Sequence, residues 1–104
     1  MRGVEPLVIG EVERVLRSQC AVLDPDSVPL AEAPALYLQL VAIRKLADGA
    51  ATRLLARVDQ ARPGGPEGKR STADWDAEQT GTTPGVAKEK LDTSKRLRLS
   101  LIHI

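Results

Sequence analysis

Few residues in this 104-residue chain have the type and spacing to do chemistry. Asp74, Asp76 and Glu78 are the tightest group of carboxylates. Carboxylates bind metals or move protons when they converge on one point. Side chains on a helix meet at separations of three and four, not two. These three are therefore not expected to share a metal, and they read as a solvated face supported by the helix dipole. Cys20 is the only cysteine, which excludes an internal disulfide and a multi-cysteine zinc site. It reads as a small buried or half-buried apolar residue, because its neighbours supply no basic setting for a reactive thiol. His103 is the only histidine. No Gly-rich phosphate loop after a strand and no His-Glu-x-x-His is visible. No catalytic residue, no metal and no cofactor are expected.

The other charged cluster is basic. Over residues 84–98, Lys88, Lys90, Lys95, Arg96 and Arg98 stand against Glu89 and Asp92 alone. The formal charge of the whole chain is only +1, so bulk electrostatics implies neither nucleic acid nor membrane as a partner.

The elements that must carry these residues are short helices around a turn. Ser71-Thr72-Ala73-Asp74 has the spacing of a helix start, with Ser71 accepting an orphan amide and Asp74 reaching back to the cap. Gly81 supplies the positive φ that ends a helix. Thr83 caps the next one, with Pro84 at its first position. Ala87, Leu91, Ser94 and Leu97 form the inner face of that second helix, and Trp75 is the one large anchor between the two. Ser71, Trp75, Gly81 and Leu91 are thus the expected structural anchors of a helix-turn-helix-like pair over 71–98.

The same stretch carries a resemblance. Arg-Ser-Thr-Ala-Asp-Trp, Thr-Gly-Thr-Thr-Pro-Gly and Ala-Lys-x-x-Leu-Asp-Thr-Ser-Lys-Arg-Leu, between Arg70 and Leu97, resemble the signature of domain of unknown function 222. That domain forms the N-terminal region of HNH-endonuclease-type, or 13E12-repeat, proteins. The resemblance is specific over Arg70–Leu97, generic over the long helix before it and weak over the first thirty residues. Asp76 departs from the pattern, which has an apolar residue there, often Leu, and this weakens the first helix as a packed element. The resemblance implies a non-catalytic N-terminal helical fragment of an HNH-type protein, with DNA contact through the two-helix unit. Lys88, Lys95, Arg96 and Arg98 would then meet phosphates, with the start of the second helix facing a groove. An HNH centre needs histidines to bind metal and activate water, and none precedes position 99. The alternative is a helical scaffold or oligomerisation module with no nucleic-acid contact. Charge balance favours the alternative; the resemblance favours the first.

The rest of the chain reads as helix. Val8, Val12, Val15 and Gln19, with Leu16 beside them, make one face of a first helix expected to cover part of a core. Asp24-Pro25-Asp26-Ser27 and Pro29 carry turn chemistry. In the long element, Leu36, Leu40, Ile43, Ala47, Ala50 and Leu54 recur at alternating spacings of four and three, with Val41, Leu46, Ala51, Leu55 and Val58 widening the stripe. That is a narrow helix-packing seam, serving an intramolecular hairpin or a homo-oligomer through the long helix. Gly49 in mid-helix is explained by a close contact or by tolerance. Two prolines and three glycines within 63–68 break any regular element.

The last six residues, Leu99 to Ile104, are the literal translation of CTG-TCT-CTT-ATA-CAC-ATC. That string resembles the mosaic-end adapter of transposon-based sequencing libraries. They are expected to be read-through, with the natural chain continuing past Arg98, and His103 is then neither ligand nor base.

The expected fold is all-α: a long helix packed with shorter ones, ending in the helix-turn-helix-like pair. Helices are expected near 5–20, 31–62, 71–80 and 84–98. The organisation is an N-terminal helical region 1–62, a Gly/Pro linker 63–70, the two-helix unit 71–98 and the tail 99–104. No run reaches the roughly 18 apolar residues of a membrane span and no signal peptide is visible, so a cytoplasmic location is expected.

Overall fold

The computed structural model describes residues 3–65 and 70–102. Residues 66–69 of the Gly/Pro segment, and His103 and Ile104 of the tail, lie outside the described residues. The fold is all-α: α1 (Pro6–Val22), α2 (Ala33–Ala61), α3 (Thr72–Thr80) and α4 (Pro84–Ile102), with one 3-10 turn at Pro25–Ser27 and no strand among the described residues. Two compact units divide inside α2, at Leu38 and Gln39.

In the first unit, α1 begins on Pro6, whose missing N–H costs nothing there. Glu11 pairs with Arg14 at 2.5 Å and Glu13 with Arg17 at 3.2 Å, all fully solvated. Such pairs contribute little. The expectation that α1 covers a core is not met: it has no buried residue, and Val8, Val12 and Val15 are all about half exposed. Only Leu16 is half-buried. Cys20, expected to be buried or half-buried, is instead exposed. The turn that follows is built by Asp24. Its Oδ1 accepts the Asp26 N–H at 3.1 Å and its Oδ2 accepts the Ser27 hydroxyl at 2.7 Å.

The core sits in the second unit and is small: Leu55, Ala56, Ala77, Ala87 and Leu91. The expected seam on α2 packs only in part: Leu36 and Leu40 are half-buried, and of the residues widening it Leu55 is buried and Val41 and Val58 are half-buried. Leu54 is 58% exposed and Ile43 39%, whereas Leu55 and Ala56 are buried between half-buried Thr52 and Asp59. At about 100° per residue, the packed face of Thr52, Leu55, Ala56 and Asp59 is centred roughly 150° around the helix from the seam. The reason is close approach. Ser94, 1% exposed, sets its hydroxyl against the α2 backbone, accepting the Ala56 N–H at 2.9 Å and donating to the Arg53 carbonyl at 3.3 Å. Ala56 tolerates that distance, and a larger side chain would hold the helices apart. Gly49 has open space around it, so tolerance explains it and no helix contact does.

The α2 helix ends on Arg62 at φ 51°, an uncommon conformation for a residue with a side chain. The loop then passes close to Arg70: a Cβ on Gly64 would lie 2.1 Å from the Arg70 carbonyl oxygen. Ser71 caps α3 by accepting the Asp74 N–H at 3.0 Å. The reciprocal bond from the Asp74 side chain is not made among the described residues. Gly81, at φ 71°, closes α3, with the Thr82 N–H donating to the Ala77 carbonyl at 3.1 Å. That pattern satisfies carbonyls the helix leaves open. Thr83 Oγ1 accepts the Val86 N–H at 3.2 Å and starts α4.

The α3–α4 pair corrects two expectations, those for Asp76 and Leu97. Trp75 is half-buried, whereas Ala77 of α3 and Ala87 and Leu91 of α4 are buried. Asp76 is not part of a solvated face. It is 6% exposed, and its Oδ2 lies 2.7 Å from Lys90 Nζ. That oxygen has no hydrogen-bond partner of good geometry, so Lys90 acts as a charge partner and not as an aligned donor. The departure that was expected to weaken α3 instead ties it to α4. Asp74 and Glu78 remain exposed, and Glu78 pairs with Arg70. Leu97, assigned to the inner face, is 43% exposed.

Candidate nucleic-acid interface

The four cations singled out from sequence all lie on α4 and are all exposed, but the fold separates them. Lys88 and Lys95 stand seven residues apart, two helical turns, and so share a face. That face looks into an open cleft of about 810 Å³, lined also by Asp59, Arg62, Arg70 and Asp92. Arg96 and Arg98 do not line it. Arg96 donates to Thr93 Oγ1 at a long 3.4 Å, and among the described residues Arg98 has no acidic partner.

Three elements build the cleft. The last turns of α2 bring Asp59 and Arg62, the entry to α3 brings Arg70 with Ser71 and Thr72, and α4 brings Lys88, Leu91, Asp92 and Lys95. Leu91 is the floor, 7% exposed. Asp59 is the hub. Its Oδ1 accepts the Thr72 hydroxyl at 2.5 Å, and its Oδ2 lies 3.2 Å from Lys95 Nζ. The Thr72 hydroxyl, followed by Lys95 and Arg62, holds the Asp59 carboxyl below its ordinary value, against the smaller effect of burial. Ionised Asp59 therefore fixes the corner where α2, α3 and α4 meet.

The arrangement sorts the cations by availability. Lys95 is tied to Asp59, though both groups are partly solvated and such pairs are weak. Arg70 lines the cleft and pairs with Glu78 of α3, and this pair too is solvated and weak. Lys88 has no acidic partner among the described residues. Sequence reading missed Asp59, Thr72, Arg62 and Arg70 as lining residues. They belong to the end of α2, the residue after it and the entry to α3, and no local pattern signals that these meet. Among the described residues no group of three or more His, Cys, Asp or Glu is placed to hold a metal ion. Nor is any helix long and apolar enough to cross a membrane.

Comparison with known proteins gives no relative: no family model, no curated protein and no solved structure matches the chain.

Proposed function

We propose that this chain is a non-catalytic helical region of an HNH-endonuclease-type protein of the cytoplasm, and that α4 gives it contact with DNA phosphates. The observation that carries the reading is the set of solvated cations on α4, of which Lys88, Arg96 and Arg98 have no acidic partner among the described residues. The resemblance of Arg70–Leu97 to domain of unknown function 222 supplies the context. Lys and Arg on a solvated helix neutralise phosphates without reading sequence. The test is an electrophoretic shift with a labelled duplex at low salt, run beside the Lys88→Glu/Arg96→Glu/Arg98→Glu variant. The wild-type chain is expected to shift duplexes of unrelated sequence equally, and the variant is expected not to. Incubation with magnesium or manganese is expected to leave the duplex uncut.

A second reading, a helical scaffold or oligomerisation module without nucleic-acid binding, is favoured by one observation. Ile43, Ala47, Ala50 and Leu54 form a seam of helix-pairing spacing and are all exposed among the described residues. Sedimentation that depends on concentration, abolished by Ile43→Glu, together with no DNA shift, would select it.

A further inference from the structure

We infer that the phosphate-binding centre is the cleft between α2, α3 and α4, with Lys88 and Arg70 as its principal cations, and that Arg96 and Arg98 are peripheral. The inference rests on the DNA reading and gives it a place. A line of charges along a helix meets a phosphodiester backbone at separate points. A concave site holds one phosphate between several cations and excludes part of the water, which strengthens each attraction. Only Lys88 and Lys95 of the α4 cations look into the cleft, and Arg62 and Arg70 reach it from other elements. Among the described lining residues four cations face two carboxylates, Asp59 and Asp92. Asp59 is committed to Thr72 and Lys95. Asp92 is exposed, makes no interaction among the described residues and sits one turn from Lys88. Among the described lining residues it is thus the acid whose charge opposes an incoming phosphate without an ion pair or side-chain hydrogen bond that holds the fold.

The ligand is the phosphodiester backbone of duplex DNA, read without base contacts. Fluorescence anisotropy with a labelled duplex of about 20 base pairs tests the site on the full chain. Lys88→Ala and Arg70→Ala are each expected to weaken binding about five- to tenfold and to lower the salt slope by about 1. Arg96→Ala/Arg98→Ala is expected to change it less than about twofold. Asp92→Asn is expected to tighten binding about threefold or more through the removed repulsion, a gain that damaged folding cannot mimic. If Arg96→Ala/Arg98→Ala removes binding while Lys88→Ala, Arg70→Ala and Asp92→Asn leave it unchanged, DNA contact stands and the cleft assignment falls. If the wild-type chain does not bind the duplex at low salt, both fall.

Discussion

Ser94 Oγ accepts the main-chain N–H of Ala56 at 2.9 Å, joining two helices across 38 residues of sequence. The same hydroxyl donates to the Arg53 carbonyl, so one side chain holds the α2 backbone from both sides. Ser94→Ala keeps the close approach and removes both bonds. The expected cost is about 1–2 kcal/mol, the range for a buried hydrogen-bonding group left without its partner. Ser94→Val is expected to cost more, because the site is full and overpacking adds strain. Urea unfolding of the three proteins checks the order.

Trp75→Ala is expected to cost less than the roughly 3–5 kcal/mol of a fully buried ring, because half-burial leaves part of the indole in water. Leu91→Ala, at the centre of the core and 7% exposed, is expected to cost at least as much as Trp75→Ala. Denaturant midpoints give the ranking. Indole emission should lie between the solvated and the fully buried limits.

Much of the second unit was legible, and the reason is local. Ser71, Gly81, Thr83 and Pro84 act on amides and carbonyls within a few residues, so spacing alone located both ends of α3 and the start of α4. The packed face of α2 was legible only at its edge, in Leu55 and Val58. Leu36 to Leu54 gives a regular seam, yet the contact with α4 is decided by where Ser94 needs a small partner. Asp76 misled for a related reason. Its charge reads as solvent-facing until Lys90, fourteen residues on, is brought beside it. The cleft was half legible: Lys88 and Lys95 share a face by helical period, while Asp59 and Arg62 come from the end of α2 and Arg70 from the entry to α3.

Asp59 makes stability depend on pH. Its carboxyl is held below its ordinary value of 3.8, first by Thr72 and then by Lys95 and Arg62. A lowered folded value contributes stability that is complete above the unfolded value and is lost as pH falls through the folded one. Melting temperature is therefore expected to fall as pH drops below about 4. Asp59→Asn should start lower at neutral pH and show a shallower acid slope. Thermal melts of both proteins between about pH 6 and pH 3 check the sign.

Removing residues 99–104 is expected to leave the fold of 31–98 intact. Leu99 is 55% exposed, so its loss uncovers nothing buried. The melting temperature should shift by less than about 3 °C, the range of a surface change in a small domain. A drop of several degrees would mean that the tail packs as part of the protein.

The central claim, contact between α4 and DNA phosphates, is tested most directly by the salt dependence of duplex binding. Each neutralised phosphate contributes about −0.9 to the slope of log Kobs against log salt. Contacts from three or four cations give an expected slope of about −3, the same for unrelated sequences. A slope near zero, or no binding at about 50 mM salt, would contradict the account.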